Sequence, residues 1–141
     1  MAAESTETLD VVRRVMTLAN AVGGLADDVL AEFGLAPSVM GVVWGLDPAS
    51  ESPTMRELAT RLRCDPSTIS LAADRLEAAG FVERAPHPTD GRKRTLALTE
   101  RGLELWHAIE ARIHGSGMID GLDAGERATL EALLAKVRMP R

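Results

Sequence analysis

TMRELATRLRCDPSTISLAADRLEAAGFVER (54–84), followed by APHPTDGRKRTLALTERG (85–102), is the stretch on which the fold turns. Thr54 with Glu57 three positions later is a capping-box pattern, in which each side chain bonds the other's backbone amide at a helix start. The helix it opens is short, to about Leu62, and Arg63-Cys64 makes a turn. Asp65-Pro66 then restarts the chain as an N-cap followed by proline in the first helical position. A second helix is expected over about 66–79, stopped by Gly80. Its Ile69, Ala72, Ala73 and Leu76 fall on one side, which leaves Ser67, Thr68, Ser70, Leu71, Asp74 and Arg75 outward. Residues 81–84 and 95–98 read as strands flanking HPTDGRKR, and the turn dipeptide Asp90-Gly91 puts Arg92 at or near the tip. Two short helices, a tight turn and a basic-tipped hairpin describe a winged helix-turn-helix. That geometry sets one helix in a DNA major groove and a loop beside it.

The flanks are helical. Before the reading head, Leu9, Val12, Met16, Ala19, Val22, Ala26, Val29 and Phe33 step by threes and fours along one stripe of a long helix over about 5–33. Gly23-Gly24 weakens that helix by about 1 kcal/mol per glycine and marks a candidate kink. Gly34 is the expected stop, and Pro37 opens a second helix to about Leu46. After the hairpin, Thr99 caps a helix carrying Leu103, Trp106, Ile109 and Ile113, interrupted at Gly115-Ser116-Gly117. Asp123 and Glu126 form another capping box for a last helix to about Arg138, with Leu130, Leu133, Leu134 and Val137 apolar. The chain is thus expected to be one mainly α domain with a small β-hairpin wing. Its N-terminal helices span 5–46, the winged helix-turn-helix 54–98, and the C-terminal dimerisation helices 99–138.

Composition narrows the function classes. The chain has 141 residues, enough for a real core, and only 3% are aromatic, so that core is aliphatic. No apolar run reaches membrane-spanning length, and the acidic N-terminus MAAESTETLD is no signal peptide, so a cytoplasmic location is expected. Cys64 is the single cysteine and rules out an internal disulfide. The net charge of −5 taken alone argues against a nucleic-acid binder. Distribution reverses this: residues 54–102 hold nine Lys/Arg against seven Asp/Glu, while the rest of the chain is strongly acidic. Affinity for phosphate follows the local basic surface, here Arg92-Lys93-Arg94, and not the total.

The two stretches LATRLRCDPSTISLAADRLEAAGFVER and DGRKRTLALTERG carry a resemblance to the multiple-antibiotic-resistance regulator (MarR) family of bacterial transcription factors, nearly end to end. The family's aspartate, any residue, arginine pattern at the wing is met by Asp90-Gly91-Arg92. Its leucine-threonine entry into the next helix is met by Leu98-Thr99, followed by Gly102. The resemblance implies a homodimer whose first and last helices interlock and hold two reading heads over a palindromic operator in double-stranded DNA. It implies that Ser67, Thr68 and Ser70 face the major groove, that Arg75 approaches phosphate, and that Arg92 enters the minor groove with Lys93 and Arg94 beside it. Asp90 would orient the wing arginines. A small-molecule effector cleft between the dimer helices and the reading head is also implied. Leu71 departs from the polar or small residue common in relatives; contact with thymine methyls and shelter against the wing both remain open.

Bland readings compete at several positions. A winged helix can serve only for protein contact, and a protein-interaction module without a DNA target is the alternative function. Cys64 tempts a redox reading, but relatives that sense oxidants place the cysteine in the first helix. A small buried residue is expected at the turn instead. His107, Glu110 and His114 share one helix face, as a metal site or, by preference, as a polar strip. His87 sits in the wing, where protonation could tune affinity but solvation is the ordinary role. Trp44 and Trp106 are read as core or cleft lining. No nucleophile elbow, phosphate-cradling glycine loop or metal motif is present, so no enzyme activity, metal or cofactor is expected. The sequence reading is a DNA-binding regulator, more a repressor than an activator.

Overall fold

A computed structural model describes residues 1–140, the side chains of residues 2 and 3 apart. Six α-helices and one antiparallel hairpin follow in order among the described residues: α1 (Ala2–Glu32), α2 (Met40–Trp44), α3 (Met55–Leu62), α4 (Pro66–Ala78), β1 (Val82–Pro86), β2 (Arg94–Leu98), α5 (Glu100–Gly115) and α6 (Ala124–Ala135). A 3₁₀ turn (Pro37–Val39) leads into α2. The hairpin pairs Val82 with Leu98 and Pro86 with Arg94, and Thr54 adds an isolated bridge to Thr95.

The reading head is held by local chemistry that the sequence specifies. Thr54 Oγ1 accepts from the Glu57 amide at 3.2 Å, and Glu57 Oε2 accepts from the Thr54 amide at 3.0 Å. At eight residues α3 is too short to persist alone, so tertiary burial decides its stability. Leu58 supplies that anchor at 0% exposure, a burial worth about 1.5–3 kcal/mol. The core around it is aliphatic, as composition requires. Val29 and Leu30 of α1, Val42 and Val43 of α2, Ile69 and Leu76 of α4, Leu96 of β2, and Leu105 and Ile109 of α5 form one cluster around Phe81. The Phe33 ring meets Phe81 edge-on at 6.1 Å between centroids.

Two glycines close helices as expected. Gly34 and Gly80 both take a left-handed backbone, with φ of +74° and +84°. After each, the next amide reaches back to the carbonyl five residues earlier: Leu35 to Leu30 and Phe81 to Leu76, both at 2.9 Å. Arg63 takes the same conformation at φ 53°, an unusual position for a side chain with a Cβ, and it makes the sharp turn between α3 and α4.

Several expectations are corrected. The helix α1 runs unbroken through Gly23-Gly24, and its apolar stripe divides: Ala26 and Val29 are buried, whereas Leu9, Val12, Met16 and Ala19 are exposed. The second helix is split into a 3₁₀ turn and a five-residue α-helix that stops at Trp44. Asp65 sits at the N-cap of α4 but its side chain makes no capping bond. The last helix stops at Ala135, three residues early, and Leu133, Leu134 and Val137 are exposed. Cys64 is exposed, not buried. The left-handed Arg63 turns the chain so that Leu62 packs on the core, and Cys64 is left outside.

Candidate nucleic-acid interface

The helix α4 presents its first turn to solvent because Pro66 opens it and Ile69 is the first residue to enter the core. Ser67 and Thr68 are exposed, as are Asp74 and Arg75, while Ser70 is half-buried and so less outward than its spacing suggested. Leu71 is 54% exposed, which places an apolar side chain on the solvent face. Arg75 Nη1 lies 3.4 Å from Ser38 Oγ, a long contact to the 3₁₀ turn before α2.

The outward face of α4 also carries two carboxylates, a liability beside any polyanion. Both are held by one arginine. Arg84 of β1 donates to Asp74 Oδ1 at 2.7 Å and to Glu77 Oε1 at 3.0 Å. The hydrogen bond to Asp74 raises the Arg84 pKa above its ordinary value, with the nearby charges of Glu77 and Asp74 adding to it against partial desolvation. This clamp joins residues ten apart across a helix end and a strand, and no period in the sequence announces it.

The wing tip is ordered by its own backbone. Asp90 Oδ1 accepts from the Arg92 amide at 3.1 Å, and the Lys93 amide bonds the Asp90 carbonyl at 3.0 Å, which closes a four-residue turn. His87 contributes as well: its Nδ1 accepts from the amides of Thr89 and Asp90, both at 3.2 Å. The sequence offers His87 as a tuner of affinity by protonation or as a solvated loop residue, and neither reading includes this turn-ordering role; an aromatic nitrogen two and three residues before small polar residues is the available signal. Arg92, Lys93 and Arg94 are all exposed. At the hairpin root the Thr99 hydroxyl donates to the Gly80 carbonyl at 2.6 Å and accepts from the Gly102 amide at 3.1 Å. The guanidinium of Arg101 lies 4.4 Å over the Phe81 ring and donates to the Ala79 carbonyl at 2.9 Å.

Two cavities flank this head. An open groove of about 630 Å³ lies between α3 and the start of β2, lined by Thr54, Met55, Arg56, Glu57, Thr60, Arg61, Lys93 and Arg94. An apolar cavity of about 620 Å³ lies between α1, α2 and α6. Trp44 is on its wall with Val15, Leu18, Met40, Ile113 and Leu134, and Arg14 is its one charged lining residue. Trp106 is not on that wall; it stacks on Trp44 with ring centroids 4.9 Å apart. The expectation for Trp106 is thereby narrowed to a support behind the lining residue.

The remaining candidates do not converge. His107 Nδ1 lies 3.3 Å from Glu110 Oε2 and His114 Nε2 lies 3.9 Å from Glu110 Oε1, all three on the exposed face of α5. Among the described residues, no three His, Cys, Asp or Glu side chains are grouped to hold a metal ion. No described helix is long and apolar enough to cross a membrane.

Comparison with known proteins agrees with this geometry. The MarR family profile matches residues 49–93, from the loop before α3 to the wing tip. The transcriptional regulator TtmR of Methylorubrum extorquens is 32% identical over 100 residues, 71% of this chain and 49% of that protein. The chain thus spans about half the length of that relative. The multiple antibiotic resistance protein MarR of Escherichia coli is 37% identical over 84 residues, 57% of this chain and 58% of that protein. Its ligand-free crystal structure superposes with a TM-score of 0.65 at 26% identity, covering 90% of this chain and 96% of that one. The structure of CouR from Rhodococcus jostii, bound to p-coumaroyl-CoA, superposes with a TM-score of 0.70 at 25% identity, covering 93% and 96%. Residues 49–93 thus match the MarR family model, and over nearly its whole length the chain is similar in fold to the MarR regulator of Escherichia coli.

Proposed function

We propose that the chain acts as a homodimer that binds a palindromic DNA operator and represses transcription from it in the cytoplasm, until a small-molecule effector loosens the complex. The observation that carries the reading is the joint exposure of Ser67 and Thr68 on the first turn of α4 and of Arg92, Lys93 and Arg94 on the wing. Short hydroxyls at that turn reach base edges without steric cost, and Ser70, Leu71 and Arg75 follow along the same helix. An arginine at a hairpin tip suits a narrow, strongly negative minor groove. Asp90, bonded to the Arg92 amide, fixes the backbone from which that arginine projects.

Dimerisation is supported by the exposed apolar residues at the chain ends. Leu9, Val12, Val15 and Met16 of α1, with Leu133 and Leu134 of α6, are solvent-facing in one chain, and exposed apolar residues gathered on helices are the kind of surface that a second copy covers. The apolar cavity beside Trp44 supports a mainly apolar effector, with Arg14 available to an anionic group. Arg92→Ala tests the reading of the head: it is expected to weaken duplex binding while the dimer remains intact in size-exclusion chromatography. Unchanged affinity sinks the wing assignment.

A further inference from the structure

The histidine of the wing is held in one protonation state by the amides around it. Proline stands on both sides of His87 in APHPTDG (85–91). A residue before proline is biased to extended backbone, and Pro88 has a fixed φ and no amide hydrogen. The first amides that can turn back are therefore those of Thr89 and Asp90. Both donate to His87 Nδ1, each at 3.2 Å, and the Thr89 hydroxyl lies 3.2 Å from the same atom. Backbone amides only donate, so Nδ1 is an acceptor and the ring proton sits on Nε2. Turning the ring over would set a C–H against both amides.

The contact reaches beyond its own turn. Asp90, whose amide His87 holds, accepts from the Arg92 amide through Oδ1 at 3.1 Å and from the Lys93 amide through its carbonyl at 3.0 Å. The His87 amide donates in turn to the Lys93 carbonyl at 2.9 Å. One nitrogen lone pair thus heads a relay that ends at the backbone of Arg92. His87 and Asp90 are half-buried, whereas Arg92 and Lys93 are exposed.

An imidazolium carries a proton on each nitrogen and has no acceptor. With Nδ1 protonated, its N–H would face the amides of Thr89 and Asp90, three donors with nothing to receive them. The charged groups about the wing are Glu83 and Arg84 of β1, Asp90, Arg92 and Lys93 of the turn, Arg94 of β2, and Arg56, Glu57 and Arg61 of α3 across the groove. Asp90 is engaged by the Arg92 amide, Glu57 by the Thr54 amide, and Arg84 by Asp74 and Glu77. Among the described residues the histidine ion pairs are those of His107 and His114 with Glu110, not of His87. Charge counting alone predicts that a proton on the wing tightens its hold on phosphate. The relay predicts the opposite sign.

We infer that His87 is a positioning residue for Arg92: its neutral Nδ1 holds the wing in its DNA-binding shape, and protonation slackens the wing and weakens duplex binding. The inference rests on the DNA-binding reading above and adds to it a dependence on pH.

The test uses the full chain and a duplex selected by it, with equilibrium binding followed from about pH 8 to about pH 5.5, the range in which histidine titrates. His87→Asn sets an oxygen near the Nδ1 position and does not titrate, whereas His87→Gln carries its oxygen one bond further out. Acidification is expected to weaken wild-type binding about fivefold relative to His87→Asn, the scale of one lost hydrogen bond. His87→Asn is expected to match wild type at the alkaline end, and His87→Gln to bind throughout as the acidified wild type does. Parallel wild-type and His87→Asn profiles overturn the inference, as does equal affinity of the Asn and Gln variants. So does wild-type binding that tightens on acidification, which would assign His87 to direct attraction of phosphate. In the free protein the amide resonances of Thr89, Asp90 and Arg92 are expected to move together with pH in wild type and not in His87→Asn. Amides that stay still overturn the relay whether or not a duplex binds. A wild type whose amides move but which binds no duplex contradicts the DNA-binding reading and not the relay.

Discussion

Arg84 Nη2 lies 2.7 Å from Asp74 Oδ1, so the root of the wing holds the outward face of the recognition helix by its own acid. The same guanidinium reaches Glu77. One arginine thus pairs with both carboxylates and ties the hairpin to α4. A raised pKa on a base means that its stabilising charge is present below the unfolded value and lost only as pH rises through the folded one. Both lie far above neutrality for Arg84, so its side of the clamp does not titrate under working conditions.

Arg84→Gln is expected to lower DNA affinity by freeing Asp74 and Glu77 to repel phosphate, and to cost stability by only about 1 kcal/mol, as partly exposed pairs do. Adding Asp74→Asn and Glu77→Gln should restore much of the affinity. Equilibrium binding of the single and triple variants checks this; equal weakness in both would show that the arginine acts in another way.

The two helices of the reading head start differently, and their caps should not be equivalent. Thr54→Ala removes a bonded cap and is expected to cost about 1 kcal/mol, whereas Asp65→Ala removes a side chain that makes no capping bond and should cost much less. Urea unfolding midpoints decide the order. A larger loss at Asp65 would contradict the cap geometry.

Gly102 is fixed by close approach. A Cβ there would overlap the Phe81 carbonyl oxygen, a backbone atom that cannot step aside, and would crowd Leu98 as well. Gly102→Ala is expected to destabilise by about 2 kcal/mol or more, read as a lowered Tm. A Tm equal to wild type would refute the packing at the wing's exit.

Trp44 and Trp106 report on the apolar cavity unequally. In Trp106→Phe the remaining emission comes from Trp44 alone, on the cavity wall. Apolar ligands titrated into that variant should shift the emission with a saturable profile. A flat response to ligands that do weaken DNA binding would move the effector elsewhere.

Most of the head was legible because its signals are local. The capping boxes at Thr54 and Asp123, the glycine stops at Gly34 and Gly80, and the Asp90 turn each act within a few residues, and each forms. What escaped depends on distance in sequence or on one backbone angle. The Arg84 clamp spans ten residues without a period, and the groove around Arg56 and Arg94 joins a helix to a strand that follows only after another helix and another strand. Cys64 was expected inside because turn residues between helices often pack; the left-handed Arg63 reverses that. The stripe of α1 gave the correct helix but could not say that its Leu9, Val12, Met16 and Ala19 stay exposed while Ala26 and Val29 are buried.

The most direct test of the account is selection of bound duplexes from a random pool by the purified protein at two salt concentrations. The account predicts enrichment of a palindromic site, with binding that falls steeply as salt rises, because phosphate contacts release counterions. A folded dimer that enriches no sequence at either salt would contradict it and direct attention to a protein partner for the same winged helix.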